Sequence, residues 1–518
     1  MPSTKQLTAV AEVGGNLKQV QQAFGAFQVA RNEFINKLSG FLDKASSEGT
    51  LEALMKNDVM AVVCCPLAQD AVPGIQALSL QCLAKLAAAD PLLSQVVVSC
   101  GVLDSIVISL SHDSPSVQAS ANNVLTSLAK STSEFAARVL AAGALPHLIR
   151  QLQSGAPVVR EAAVFTLNAL CQSSAQHAAL VCDDALLALL VSLLMVKDSP
   201  HSLLRALVLC LSNVAAGGAK LAEALMRAKA LEPLTMMVRG ANTPQDLKAA
   251  ALNALAQVCR HHDELVNQVA NQGVLQSAVT ALTDKMTPAI RRNAAALLLQ
   301  ATQKTPDLAE VVCKGGAPAA LQKYMALEAG NVDGLLAGIM ITGTMSSYKA
   351  LLAKAVVDSG AGLPVIEALK HSDSQVMGCS AWAVEQMAQH GEECAGPLIE
   401  AGALQHLMDM AARVPKKDLD LAAKVKASTK AVIRAAATSQ SLEPFVDRAT
   451  SKKMLTHLLR KLEVLLAKSP KGRQSFVTSG ALQRLQELRK VLPDKAQSAA
   501  ATINSLFPAD VVLYYQRE

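Results

Sequence analysis

The 518-residue sequence predicts an all-α repeat solenoid, on three observations. Hydrophobic residues make up 51% of the chain but aromatics only 3%, so its apolar content is mostly Ala, Leu, Val, Ile and Met. These side chains let helices approach closely, whereas a sandwich or barrel draws on Tyr, Phe, Trp and Thr. A quartet of apolar or small residues at spacing 4, 4, 3, the rhythm of one helix face, recurs through most of the chain. Polar breakers separate the helical stretches at regular places, as at His112-Asp-Ser-Pro115, Ser154-Gly-Ala-Pro157 and His371-Ser-Asp-Ser374.

The quartets begin at Ile75, Val117, Val159, Leu203, Leu247, Ile290, Val332 and Val376, giving steps of 42, 42, 44, 44, 43, 42 and 44 residues. Their full membership runs, for example, Val117, Ala121, Leu125, Leu128, and in the seventh unit Val332, Leu336, Met340, Gly343. A ninth, Val425, Thr429, Ile433, Ala436, follows 49 residues after the eighth, beyond the charged insertion Lys416 to Asp420. A shorter apolar stretch precedes most quartets and is introduced by a glycine, as at Gly101, Gly143, Gly273 and Gly402. Glycine suits the bend between two short helices. A short helix comes before that bend, as in the stretch ending at Gly316, with Pro306 at its start.

Three helices per 42 to 44 residues is the armadillo plan, with a two-helix HEAT array as the competitor. No single unit buries its quartet face alone, so neighbouring units stack into a continuous core. The expected fold is an armadillo-like right-handed superhelical solenoid of about nine to ten three-helix repeats with N- and C-terminal caps. Residues 1–50 form an arm and capping helix, 51–440 the repeats, and 441–518 the C-terminal capping helices. There Met454, Leu458, Leu462 and Leu465 share a face.

The eleven cysteines form no CxxC pair and sit among apolar neighbours, as Cys82, Cys171, Cys210 and Cys379 do, which reads as buried thiols in a reducing compartment. The start of the chain lacks a basic stretch followed by a continuous apolar core, and the longest apolar run, Ala185 to Val196, is too short to span a bilayer. A soluble intracellular protein is expected, with no membrane partner.

Catalytic and metal constellations are missing from the pattern. His261-His262-Asp263-Glu264 points in several directions at a helix end with no further Cys or His at finger spacing, and reads as a solvated turn. Gly338 to Thr344 has two glycines and a threonine but lacks the lysine of a phosphate loop. Cys64-Cys65 reads as two thiols on an apolar helix rather than a vicinal disulfide. No enzymatic activity, cofactor or metal is expected.

Armadillo proteins that carry import peptides resemble one another in a ladder of Trp and Asn on successive third helices. At the corresponding positions this sequence has only Trp382 and Asn213. Both are candidate partner contacts, with a packing role the competing reading for Trp382. Between Lys416 and Lys490 stand 17 Lys and Arg against 6 Asp and Glu, so the remainder of a chain of net charge +6 is acidic. Lys452, Lys453, Arg460, Lys461, Lys471 and Arg473 are candidates to meet an acidic surface, against a merely solvated face. Nucleic acid is not expected, because no aromatic residues interleave with these charges.

The two ends carry a more specific signal. Gln22 to Phe34, Leu442-Glu-Pro-Phe445, Arg473-Gln-Ser-Phe-Val-Thr-Ser-Gly480 and Phe507-Pro-Ala-Asp-Val-Val-Leu-Tyr-Tyr515 resemble segments of the armadillo-repeat family of the ciliary central apparatus. Ser380-Ala-Trp-Ala383 resembles a helix of the same family. Other family phrases survive only in pieces, and the tail after the tyrosine pair is short, as in a diverged relative or paralogue. The resemblance implies a structural part of the axoneme of motile cilia or flagella. Its implied partners are other axonemal proteins, armadillo-repeat proteins among them, and the tubulin or microtubule surface. A soluble armadillo adaptor or chaperone holding cargo peptides in a concave groove is the alternative.

Overall fold

A computed structural model describes residues 4–43, 68–196, 199–261, 263–283, 285–415, 417–447, 450–489 and 492–516, with side chains from residue 16 onward. Every regular element among them is a helix. Two compact units are present, Met1–Met236 and Met237–Glu518. The Cys64-Cys65 pair and His262 lie outside the described residues.

In the first unit the long helices Pro73–Ala89, Pro115–Ser131, Pro157–Ser173 and His201–Ala216 each carry one quartet, and each packs on the next. The repeat that ends in Pro157–Ser173 shows the local logic. Thr132 accepts a hydrogen bond from the Phe135 amide at the start of the short helix Ser133–Ala141, satisfying an amide the helix leaves unpaired. Gly143 then adopts a left-handed conformation, φ 80°, and turns the chain into Ala144–Leu152. Pro157 opens the long helix, where its missing N–H costs nothing. The same cap recurs at Asp90, Ser174 and Thr305. Two repeats depart from the glycine rule: Cys182 and Asp183 make the bend with negative φ, and Lys229 holds a left-handed bend at φ 60°, a conformation that disfavours a side chain.

Val117, Ala121, Leu125 and Leu128 are fully buried, as are Val159, Ala163, Leu167 and Leu170. Burying one such Leu or Val contributes about 1.5–3 kcal/mol before chain entropy is counted. A thread of amides and hydroxyls crosses between repeats beside this core. Asn122 donates to Gln151 Oε1 at 2.8 Å, Gln151 donates to the Leu110 carbonyl at 2.7 Å, and the Thr166 hydroxyl donates to Asn122 Oδ1 at 2.9 Å. Buried polar atoms need partners, so this thread fixes how one repeat registers on the next.

The second unit continues with Gln245–His261, Pro288–Lys304, Val332–Tyr348, Ser374–Ala388, Leu419–Ala435 and Lys452–Lys468. Here the structure corrects the seventh quartet. Val332, Leu336 and Met340 are only half-buried, while Gly334, Gly338, Thr342 and Met345 face the core. Apolar side chains stand on two adjoining faces of this helix, and the core takes Leu335, Ile339, Ile341 and Met345, with the glycines beside them. A Cβ at Gly338 would come within 3.2 Å of the Met325 sulfur, and one at Gly334 within 2.8 Å of a Glu328 carboxylate oxygen. The glycines therefore admit the preceding helix, Ala317–Leu327, and its end at close range. In the ninth unit Val425, Thr429, Ile433 and Ala436 are all buried, and the core face extends one turn earlier, to Leu421. The insertion before it is thus shorter than the sequence pattern indicated.

The Glu328 carboxylate, 1% exposed, pairs with Arg291 at 2.9 Å and Arg292 at 2.7 Å. In the C-terminal region the end motifs meet. Buried Glu443 of Leu442-Glu-Pro-Phe445 accepts a hydrogen bond from Ser475 at 3.1 Å. Phe476, beside Ser475, stacks on Phe507 with ring centroids 6.1 Å apart. Three segments that stood out separately in the sequence hold one another in place.

Candidate protein-interaction surface

The candidate residues fall into three environments. Asn213 is half-buried and donates to Asn168 Oδ1 at 2.7 Å in the preceding repeat, so its amide is engaged within the fold. Trp382 is half-buried, and its ring lies over Gly343. The six basic residues divide. Lys452, Lys453, Arg460 and Lys471 are exposed. Lys461, half-buried, donates to the Arg434 carbonyl at 2.6 Å, and Arg473 donates to the Leu466 carbonyl at 2.8 Å. Each satisfies a carbonyl in the last turn of a long helix, where the partial negative charge of the helix end favours a cation. These two are engaged at helix ends, while the other four project into solvent. Burial holds the Lys461 ammonium below the ordinary lysine range, with Lys468 adding to the shift.

A different set of cations lines one groove. Helix Leu419–Ala435 presents Lys426, Lys430 and Arg434 four residues apart, on one face. They line a groove of about 640 Å³ whose other wall is Glu385, Ala388, Gln389 and Gly391. Alanines 423, 427, 431 and 435 alternate with the cations along that wall. From the next helix, Lys452–Lys468, His457 is placed among Lys430, Arg434, Arg460 and Lys426. Burial lowers the His457 pKa first, and the four neighbouring positive charges lower it further. Among the described residues no carboxylate pairs with Lys426, Lys430, Arg434 or Arg460. Across the groove Glu385 is pushed above the usual carboxylate range by burial. The sequence contains the signal for this stripe, cations at spacing 4 and 4, but the basic net charge of the region does not distinguish Lys426, Lys430 and Arg434 from their neighbours.

A larger groove of about 980 Å³ lies near Leu351, Lys354, His390 and Glu393, but its lysine is already paired with Glu393. The N-terminal helix Thr4–Leu42 offers a separate apolar stripe, with Leu17, Val20, Phe24, Phe27 and Phe34 exposed. Arg31 on this helix lies over the Phe27 ring and pairs with Asp70. Among the described residues no group of three or more His, Cys, Asp or Glu side chains is arranged to hold a metal ion. No single described helix is long and apolar enough to cross a membrane.

Comparison with known proteins agrees with this architecture. The HEAT repeat family model matches residues 144–174, the last two helices of one repeat. A stretch of 143 residues is 28% identical to sperm-associated antigen 6 of Mus musculus and 29% identical to that of Homo sapiens. The match covers 28% of this chain and 28% of each relative, so it spans less than a third of their length. Among solved structures, an engineered protein superposes with a TM-score of 0.65 over 86% of this chain and 97% of its own, at 18% identity, a likeness of fold alone. The chain is a helical-repeat protein, similar to the HEAT repeat family over residues 144–174 and through one segment to sperm-associated antigen 6.

Proposed function

We propose that this protein is a non-enzymatic scaffold of the axonemal central apparatus in motile cilia or flagella. Its repeats hold neighbouring axonemal proteins, other armadillo-repeat chains among them, and its basic end meets the acidic microtubule surface. The observation that carries this reading is the meeting of three end motifs at Glu443–Ser475 and Phe476–Phe507, because those segments also carry the resemblance to the central-apparatus family. The stretch similar to sperm-associated antigen 6 supports the same direction. A scaffold needs long surfaces with unpaired groups and no enclosed reaction site, and the basic groove supplies such a surface.

Sedimentation with salt- and detergent-washed axonemes tests the reading. The expected result is retention of the full chain at low salt. A wholly soluble pool, in cells and in reconstitution, sinks it. The unpaired cations of the groove favour a second reading, a soluble adaptor that holds cargo peptides, which predicts that soluble pool together with a peptide ligand.

A further inference from the structure

We propose that the groove lined by Lys426, Lys430 and Arg434 captures an acidic segment of a partner protein in extended conformation. The inference deepens the scaffold reading by naming the chemistry of one partner contact, and it rests on that reading for its biological setting only.

Spacing carries the argument. Residues four apart on a helix advance about 6 Å along its axis, so Lys426, Lys430 and Arg434 form a row of cations at that interval. In an extended chain, side chains on one face recur at every second residue, about 6.6 Å apart. A segment with acidic residues at alternate positions therefore places successive carboxylates against successive cations. The alanines between the cations leave room for a backbone to lie close, which long side chains would prevent. Arg460, on the next helix, is close enough to act on His457 together with these three cations.

Three further features favour a peptide. The three groove cations have no carboxylate partner among the described residues, so binding breaks no internal ion pair. Glu385 on the opposite wall disfavours a ligand that is anionic on all sides, but its carboxylate can accept backbone N–H groups of an extended chain. No aromatic residue lines the groove, so the stacking platforms that single-stranded nucleic acids use are missing.

Fluorescence anisotropy of the full chain tests this with two labelled peptides of equal length and net charge. In one, Glu alternates with Ser. In the other, the same residues are segregated into a Glu block and a Ser block. The expected result is tighter binding of the alternating peptide, weakened at least about tenfold by Lys430→Gln/Arg434→Gln. Removing the same charge at Lys452→Gln/Lys471→Gln should leave the affinity near wild type. Equal loss in both double variants, equal affinity for both peptides, or tighter binding of a single-stranded RNA oligonucleotide overturns the proposal. Far-ultraviolet circular dichroism checks the fold, and the exposed single substitution Lys426→Gln gives the same readout should the double variant melt early. Axoneme sedimentation of the wild type is scored separately. Peptide binding without sedimentation removes the central-apparatus reading and keeps the groove, while sedimentation without peptide binding removes the groove alone.

Discussion

The ring of Trp382 covers the α-carbon of Gly343 on the preceding long helix, so that any Cβ at 343 would collide with the indole and approach the Ala383 methyl to 3.0 Å. Gly343 is buried in the middle of a helix, where glycine is intrinsically unfavourable by about 1 kcal/mol relative to alanine. The close approach of the indole explains why a residue so poor for helices stands there. Gly343→Val should destabilise the chain by about 1–3 kcal/mol through overpacking. Trp382→Ala should reduce that penalty, so the double substitution costs less than the sum of the singles. Thermal melts of the four proteins read the coupling, and strict additivity would show that the two residues do not constrain one another.

Glu328 should be the most sensitive charged residue in the second unit. Its buried carboxylate neutralises Arg291, whose side chain is 10% exposed, and also holds Arg292. Glu328→Gln strands the Arg291 guanidinium without a counter-charge, at a cost of about 3 kcal/mol. Urea unfolding measures it. A shift within error of wild type would mean that water or a rearranged neighbour compensates Arg291.

The basic residues of the last helices should separate into two classes in a charge scan. Lys461→Met and Arg473→Met each remove a donor from a helix-end carbonyl and should lower stability by about 1 kcal/mol. Lys452→Glu and Lys471→Glu alter exposed side chains and should leave the melting temperature within the range of ordinary surface changes, about 0.5 kcal/mol. If all four behave alike, the division into caps and solvated charges is wrong.

His457 should give the fold a pH dependence of definite sign. Its pKa is lowered from 6.5 by burial and by Lys430, Arg434, Arg460 and Lys426. The unfolded chain therefore binds the proton more readily than the folded one, and stability falls as pH drops below the unfolded value. The effect is modest because the ring is half-buried. Melting temperature followed from about pH 8 to about pH 5 should decline less steeply in His457→Gln than in wild type. Parallel profiles would show that the cations do not act on this ring.

The all-α class, the repeat step, the glycine bends and most quartet faces were legible in the sequence because they depend on local rules. Periodic burial, left-handed turns and helix caps are set by residues within a few positions of one another. The polar end motifs were also legible as segments, but not their meeting, since Glu443 reaches Ser475 and Phe476 reaches Phe507 only once the intervening helices have packed. Tertiary structure alone decided the seventh quartet, where apolar residues lie on two adjoining faces and the core takes Leu335, Ile339 and Met345, with Gly334 and Gly338 beside them. Glycine has no hydrophobic signal of its own, and its role there is the space it leaves for Met325 and Glu328. The same limit applies to charge. Net charge sums along the chain, whereas the difference between Lys461 capping a helix and Lys430 facing an open groove is set by which carbonyls and carboxylates the folded neighbours bring within reach.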